Sequence, residues 1–181
     1  MSWGKYPMRP DEVPHGSNYY KRLMDNLWDF DTNSGVWIAE PKMDGVRCLA
    51  RVRPGMCVEL LSRHLKPIFN YKIARALKSL VFDPDSGLGV FDGELYNGEY
   101  RIFDAPNVPG TLWHRGAALG EMTGWSAEVQ PVISLNDIYI DPWDYVMQNG
   151  YEGLVLKHTG SGYDWGRSPR ETTTQWIKVK P

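Results

Sequence analysis

Lys42 is the residue whose surroundings in the sequence point most clearly to chemistry. It lies in the run Glu-Pro-Lys-Met-Asp-Gly-Val-Arg at residues 40–47, where an acid, a glycine and an arginine follow the lysine. A lysine amine that has lost its proton can attack a phosphorus or carbonyl centre and form a covalent intermediate. Nearby cations favour that loss, and the chain ends on two alternating lysines, Lys178 and Lys180. A lone lysine in a turn is most often only solvated, so the prediction of a nucleophile depends on the residues that accompany it.

Two acids border apolar runs further along the chain. Glu94 lies in Phe-Asp-Gly-Glu-Leu and Glu152 begins Glu-Gly-Leu-Val-Leu-Lys. An acid at such a position is costly unless it meets a cation, a hydroxyl group or a metal. Two carboxylates beside a phosphate group could hold Mg²⁺, which takes few protein carboxylates plus substrate oxygens. The alternative is that each acid pairs with a nearby lysine.

Three further features each have two interpretations. Phe103 is either a core aromatic or a ring that stacks on a base, and Arg63 is either a surface arginine or a contact to a phosphate backbone. The alternation of Lys178 and Lys180 places both amines on one face of a strand, which suits holding a phosphate group. An exposed edge strand protected by lysines has the same pattern.

The elements that position these residues follow from the hydrophobic periodicity. Ser17 is predicted to be the N-cap of a helix that ends before Asp31, and residues 36–39 are typical of a buried strand. Residues 46–52 alternate well enough to be the hairpin partner of that strand, which leaves Lys42 in the connection. Further along, the patterns predict a strand at 56–61, a helix at 68–80, a hairpin of 88–95 with 100–104 around Asn97-Gly98, an irregular stretch at 106–125, a strand at 131–135, a helix from Asp141 to about 149, strands at 154–157 and 176–179, and a surface loop at 159–175.

Strand-rich segments with several hairpins and interspersed helices indicate an α+β fold with antiparallel sheets flanked by helices. No glycine-rich phosphate loop is present, so a nucleotide would have to be held by side chains. The 181 residues, 42% of them hydrophobic, suit a single globular domain spanning 1–181. No apolar stretch approaches the roughly 20 residues of a membrane span, and no secretory signal is visible, so we expect a cytoplasmic protein with no membrane partner. Cys48 and Cys57 match neither a disulfide framework nor a zinc pattern.

Charge is strongly segregated along the chain although the net charge is only −2. Residues 40–80 hold nine lysines and arginines against three acids, whereas residues 82–156 hold two arginines against twelve acids. A fold that gathers the first segment on one face would present a basic surface to a polyanion. A merely solvated helix face with charged strand ends is the alternative.

The order of these motifs is more informative than any one of them. Six motifs follow one another from residue 40 to residue 180: Glu-Pro-Lys-Met-Asp-Gly-Val-Arg, Leu-Ser-Arg, Phe-Asp-Gly-Glu-Leu, Ile-Phe-Asp, Glu-Gly-Leu-Val-Leu-Lys and Trp-Ile-Lys-Val-Lys. Together they resemble the nucleotidyltransferase motifs of ATP-dependent DNA ligases, over about three quarters of the chain. The resemblance implies the adenylation-domain architecture of those enzymes, which is ATP-grasp-like.

The resemblance also implies a role for each motif residue. Lys42 would attack the α-phosphate of ATP and carry AMP, with Lys178 and Lys180 as further catalytic residues on that phosphate. Glu40 would read the adenine amino group, and Phe103 would stack on the base. The remaining implied contacts are Arg47 and Glu94 to the ribose, Glu94 and Glu152 to Mg²⁺, and Ser62, Arg63 and Arg167 to DNA.

The implied partner is nicked double-stranded DNA, sealed by a monomeric enzyme that uses ATP and Mg²⁺. These ligases usually continue into an oligonucleotide-binding-fold (OB-fold) domain, whereas the sequence ends at Pro181. We therefore expect no OB-fold domain in this chain, and a separate OB-fold domain or partner protein could supply one. The alternatives are an RNA ligase, an mRNA-capping-type guanylyltransferase and a non-catalytic nucleic-acid-binding module.

Overall fold

The structure is a computed structural model that describes residues 5–27, 34–53, 58–136, 138–168 and 170–181. Within these ranges the chain forms nine strands and four α-helices. The strands are β1 (Arg9–Pro14), β2 (Trp37–Lys42), β3 (Val46–Val52), β4 (Val58–Ser62), β5 (Val90–Tyr96), β6 (Glu99–Asp104), β7 (Val129–Pro131), β8 (Gly153–His158) and β9 (Thr172–Lys180). The helices are α1 (Asn18–Met24), α2 (Tyr71–Leu77), α3 (Leu112–Gly120) and α4 (Pro142–Gln148), with a 3-10 turn at Pro84–Ser86.

The strands form two sheets, and the predicted α+β class is confirmed. Sheet A has the order β1-β9-β8-β2 and sheet B the order β4-β3-β5-β6-β7. Neighbouring strands are antiparallel except for β1 with β9 and β6 with β7, which run parallel. Each sheet has its own apolar core. Sheet A packs on α1 and α4 through Tyr20, Leu23 and Val146, and sheet B packs on α2 and α3 through residues such as Ile73 and Leu119.

The predicted hairpin between residues 36–39 and 46–52 is wrong. Strand β2 pairs with β8 in sheet A, whereas β3 pairs with β4 and β5 in sheet B. Two adjacent apolar strands with a short connection look like a hairpin in the sequence, but here the connection at residues 43–45 crosses from one sheet to the other. The crossing leaves Lys42 at the boundary between the two sheets.

Helix α3 and the strand that follows it also differ from the prediction. Helix α3 spans nine residues inside the stretch expected to be irregular, and Thr111 and His114 form a capping box at its start. Gly116 and Gly120 weaken its helical signal in the sequence. Strand β7 ends at Pro131, where the predicted strand was to begin.

Strand β1 was not predicted, because its two prolines are unfavourable for a strand. It lies at the edge of sheet A, where such residues are tolerated.

Both predicted helix caps are confirmed. The Ser17 side chain accepts from the backbone N–H of Tyr20, and Asp141 accepts from those of Trp143 and Asp144. Helix α1 ends at Met24, and residues 28–33, where the predicted helix ended, lie outside the described residues, as do Met56 and Cys57. None of the helices in the described ranges has the length and apolar character that a membrane crossing requires.

Candidate functional site

A cleft of about 510 Å³ lies between the two sheets. Most of the predicted site residues line it: Glu40, Lys42, Arg47, Ser62, Arg63, Glu94, Phe103, Glu152 and Lys178. Lys180 does not line the cleft itself, but its ammonium group forms an ion pair with Glu152, which does line it. Arg167 lies apart from the cleft wall, exposed, with its backbone N–H donating to Glu171 at 2.7 Å.

Glu152 joins the two lysines at the centre of the predicted chemistry. One of its carboxylate oxygens accepts from the ammonium group of Lys42, and the other accepts from that of Lys180. Burial by itself would raise the pKa of Glu152, but the hydrogen bonds from Lys180 and Lys42 outweigh it and hold the pKa below its ordinary value. The same carboxylate raises the pKa of Lys180 through its hydrogen bond. The carboxylate is therefore ionised and the two cations are held side by side.

The backbone of sheet A brings these three residues together. Lys42 lies opposite Gly153 in the β2–β8 pairing, and the backbone N–H of Glu152 donates to the Lys42 carbonyl at 2.9 Å. Gly153 has φ of 150°, and a Cβ there would lie 2.0 Å from the carbonyl oxygen of Val179. The glycine after Glu152 is thus required for β8 to approach β9.

Lys178 lies on the same face of β9 as Lys180, with Val179 buried on the opposite face, as the alternation predicted. Its ammonium group lies 2.8 Å from the carboxylate of Glu12 on β1. That hydrogen bond is the main reason why the pKa of Glu12 lies below its ordinary value. Glu12 was missed in the sequence because β1 was not predicted, and its pairing follows only from the register that places Glu12 opposite Lys178.

Lys157 is a second missed residue, and it lies in the buried part of the cleft. Its side chain is only 1% exposed, and its ammonium group lies 2.6 Å from Glu40 and 2.8 Å from the Phe103 carbonyl. The same group lies 4.7 Å from the centre of the Phe103 ring and 4.5 Å from that of Trp176. Burial raises the pKa of Glu40, and Lys157 offsets only part of that rise. A signal was present, because Lys157 ends the Glu-Gly-Leu-Val-Leu-Lys run on an otherwise apolar strand.

Arg47 is held by Asp92, the third missed residue. The Arg47 guanidinium donates to both oxygens of the fully buried Asp92, at 3.0 and 2.6 Å. The hydroxyl of Tyr163 donates to the same carboxylate. Burial, followed by the charge of Asp92, raises the pKa of Tyr163 well above its ordinary value, so this hydroxyl stays a donor. Asp92 lies two residues before Glu94 on β5, and this spacing is the signal that it faces the same side of the sheet.

Glu94 packs against the turn that follows Lys42. A Cβ on Gly45 would lie 2.3 Å from the Leu95 carbonyl oxygen and 3.0 Å from Cγ of Glu94, so only glycine fits there. Burial raises the pKa of Glu94 to about 7, although Arg47 and Lys42 act against the rise. This carboxyl group therefore changes its charge near neutral pH.

Basic side chains line the lips of the cleft. Arg63 and His64 are exposed residues of the turn after β4, and Arg63 Nε donates to His64 Nε2 at 3.1 Å. Arg9, on β1 of sheet A, lines the other side of the same cleft. Phosphate groups entering between these lips would meet positive charge from both sheets.

The carboxylates of the cleft could hold Mg²⁺ only together with phosphate oxygens of a bound nucleotide. The described residues contain no group of three His, Cys, Asp or Glu side chains able to hold a metal ion by themselves. Mg²⁺ in such sites takes one or two carboxylates and completes its shell with phosphate oxygens and water. Glu152 fits that requirement, since its ionised carboxylate lies at the cleft and its side chain is 31% exposed.

The chain is similar to solved structures of DNA ligases. No family model matches the chain, and no curated protein sequence matches it. A mycobacterial DNA ligase D complexed with ATP and MES is 17% identical with a TM-score of 0.66, and the match covers 99% of this chain and 62% of that one. A Lig E DNA ligase is 17% identical with a TM-score of 0.60 and coverages of 96% and 69%. The Chlorella virus DNA ligase-adenylate is 20% identical with a TM-score of 0.52 and coverages of 96% and 67%.

At these identities the likeness shows the fold alone. The two-sheet α+β architecture is that of DNA ligase adenylation domains, as the resemblance of the motifs implied. This chain spans 62% of the length of the mycobacterial ligase.

Proposed function

We propose that this protein is an ATP-dependent nucleotidyltransferase of the DNA ligase type, which carries AMP on Lys42 and transfers it to a 5′-phosphate at a DNA nick. The observation that carries the proposal is the convergence of Lys42, Lys180 and Glu152 in a cleft that also contains a buried anion–cation pair, Glu40 with Lys157. A decayed binding module has no need for this arrangement, because two ammonium groups held on one carboxylate form a ready site for a phosphate group.

In the first step Lys42 exchanges its contact with Glu152 for a bond to phosphorus. Nζ of Lys42 loses a proton to solvent by way of the hydrogen-bonded Glu152 carboxylate, which does not keep the proton because its own pKa is low. The Nζ lone pair then forms the P–N bond, and the bond between the α-phosphorus and the bridging oxygen breaks. Pyrophosphate leaves with that electron pair. Lys178 and Lys180 would neutralise charge on the transferred group, which is the main requirement in phosphoryl transfer.

The base would be recognised in the buried part of the cleft, by Glu40 and Phe103. An ionised Glu40 accepts hydrogen bonds only, which matches the amino group of adenine and opposes the carbonyl oxygen of guanine. Lys157 supports that ionised state through its ion pair with Glu40. Phe103, which lines the cleft beside Lys157, would stack on the base, as the motif resemblance implies.

The later steps use the same cleft. The 5′-phosphate at the nick would take AMP from Lys42, and the 3′-hydroxyl would then displace AMP to seal the strand. Ser62 and Arg63 at the lip would contact the DNA backbone, while Arg167 would do so from outside the cleft. Glu152, and Glu94 by the motif prediction, would be the carboxylate ligands of Mg²⁺, which supplies positive charge to the phosphate oxygens when bound.

Intact-protein mass spectrometry tests the proposal directly. After incubation with ATP and Mg²⁺, we expect a mass increase equal to one AMP, absent in Lys42→Ala and retained in Lys21→Ala, a variant of an exposed lysine on α1. An adduct that forms with GTP but not ATP would favour a capping-type enzyme. Absence of any adduct, with every nucleotide, would refute the catalytic proposal.

A second assay separates DNA from RNA as the substrate. The preformed adduct is mixed with a 5′-phosphorylated nicked duplex of DNA or of RNA, and the sealed strand is measured. Sealing of the DNA nick is expected, and sealing of the RNA nick alone would assign the protein to RNA ligation instead.

A further inference from the structure

Two aromatic side chains beside the cleft lip are almost completely exposed. Phe69 is 96% exposed and Tyr71 is 92% exposed, on either side of Asn70. Neither ring contributes to the apolar core that α2 forms through Ile73 and Leu77. Single exposed apolar residues are common on protein surfaces, but two rings this close together in a basic segment require an explanation.

Hydrogen bonds fix the backbone that carries these two rings. Asn70 caps α2, its side chain accepting from the backbone N–H of Ile73 at 3.1 Å, so the residues on both sides of it have a defined conformation. The Ile68 N–H donates to the Leu60 carbonyl at 2.9 Å, which ties the preceding residues to β4. The rings are therefore presented by a rigid backbone, and binding a ligand there costs little additional ordering.

The same backbone connects the rings to the cleft. Strand β4 ends at Ser62, and the backbone N–H of Ser62 donates to the Lys66 carbonyl at 2.8 Å, which turns the chain back along β4. Arg63 and His64, in that turn, line the cleft. The chain thus runs directly from the cleft lip to Phe69.

The chain segment that carries the rings is basic, and its Lys72, beside Tyr71, pairs with Glu128 from outside the segment. Lys66 and Arg75 are exposed, and Arg75 lies four residues after Tyr71 on α2, hence on the same helix face. From residue 58 to residue 81 the sequence contains a single acid, Glu59, which pairs with Arg51. We call Lys66, Phe69, Tyr71 and Arg75 the aromatic–basic patch.

We propose that the aromatic–basic patch binds duplex DNA beside the nick, with Phe69 and Tyr71 packing against sugars and base edges of the minor groove and Lys66 and Arg75 contacting phosphates. Charge complementarity selects a polyanion, and apolar side chains set among cations are the arrangement with which proteins enter the minor groove. The proposal rests on the proposed function only for the choice of nicked DNA as the polyanion.

Fluorescence anisotropy with a nicked duplex that lacks the 5′-phosphate, and therefore cannot be sealed, tests the patch. The double variant Phe69→Ala, Tyr71→Ala should bind this duplex about tenfold more weakly, a loss in the range measured for aromatic contacts to nucleic acids. Tyr139→Ala is the matched control, because Tyr139 is equally exposed but lies in the acid-rich segment. Its affinity should stay within about twofold of the parent protein.

The salt dependence of binding separates the two kinds of contact. Lys66→Gln should reduce the slope of log affinity against log salt by about one, whereas the double aromatic variant should keep the parent slope at a lower affinity. Parent-like affinity in the double variant, or an equal loss in Tyr139→Ala, would overturn the proposal. A loss seen with single-stranded DNA but not with the duplex would overturn the assignment to duplex DNA.

The same preparations report on the proposed function separately. If ATP leaves no AMP on the protein while the double variant still loses DNA affinity, the catalytic proposal fails and the patch stands. If the AMP adduct forms normally and the double variant binds DNA like the parent, the patch fails and the catalytic proposal stands.

Discussion

Lys157 and Glu40 form an ion pair in the part of the cleft that the proposed function assigns to the base. The ammonium group lies 2.6 Å from the carboxylate, the lysine side chain is 1% exposed and the glutamate side chain 13%. Neither charge is near bulk solvent, so each depends on the other. Since an ionised Glu40 is what distinguishes adenine from guanine in the proposed site, Lys157 is a positioning residue for base selection.

Lys157→Met is expected to destabilise the fold and to weaken base selection. Removing one partner of a buried pair leaves the other charge uncompensated, at a cost of about 3 kcal/mol in the free energy of unfolding. The loss should be smaller at pH 5 than at pH 8, because burial already raises the pKa of Glu40 and protonation relieves the unpaired charge. Urea unfolding at both pH values measures this.

The double variant Lys157→Met, Glu40→Gln is the control for that prediction. It removes both charges, so the stability lost in the single variant should largely return. A single variant as stable as the parent protein would show that the pair is not buried in solution. For base selection the measurement is the ratio of GMP to AMP adduct, which should rise in the single variant.

Asp92→Asn is expected to destabilise the protein far more than Tyr163→Phe. Asp92 accepts two hydrogen bonds from Arg47 and one from Tyr163 while fully buried, so its neutralisation leaves a guanidinium without its counter-charge, at a cost of about 3 kcal/mol. Tyr163→Phe removes one hydrogen bond, worth about 1 kcal/mol.

Both variants of this network are compared by urea unfolding. Equal losses would mean that the hydroxyl of Tyr163, rather than the Arg47 pair, dominates the network. The rate of AMP adduct formation should fall more in Asp92→Asn than in Tyr163→Phe, because Arg47 is the residue assigned to the ribose.

The residues that the sequence did not predict show which parts of the site local patterns can reveal. The motifs singled out Lys42, the proposed nucleophile, and the acid Glu152, because each has a distinctive neighbourhood in the chain. Asp92, Lys157 and Glu12 act through partners on other strands, and these partners are known only once the strand order and register are known. Local patterns do not encode which strands become neighbours.

The wrong hairpin has the same cause. Residues 36–39 and 46–52 have the composition and spacing of paired strands, and local propensity cannot show that their partners lie at β8 and β5. Partner choice depends on which apolar faces the whole chain can bury together. These two strands were themselves predicted, because alternation and apolar runs are local signals.

Glu94→Gln is expected to make stability less dependent on pH. The pKa of Glu94 is raised by burial to about 7 in the folded protein, against an ordinary value of 4.5. A raised folded-state pKa means that protonated Glu94 favours folding, and that this contribution is lost as the pH rises through about 7. Above that pH the variant, which cannot ionise, should be more stable than the parent by on the order of 2 kcal/mol.

Below pH 4.5 the Glu94→Gln variant and the parent protein should be nearly equal in stability, because the parent carboxyl group is then protonated in both the folded and unfolded states. Urea unfolding at pH 5, 6, 7 and 8 locates the divergence. A constant difference over this range would show that Glu94 does not titrate near neutrality.

Gly45→Ala is expected to slow adduct formation without contact between the new side chain and the nucleotide. A Cβ at this position would lie 2.3 Å from the Leu95 carbonyl oxygen, so the turn after Lys42 must move away from β5. A displacement near 1 Å in the position of a reacting group can cost about 100-fold in rate, and we expect a loss of that order in the rate of AMP transfer to Lys42.

Gly116→Ala is the matched substitution, because a Cβ on Gly116 meets no atom within 4 Å and the residue lies inside helix α3. It should keep the parent rate and gain up to about 1 kcal/mol in stability from the better helix former. Single-turnover mass spectrometry with excess ATP measures both rates. A parent-like rate in Gly45→Ala would mean that the turn adapts, and that its contact with β5 does not position Lys42.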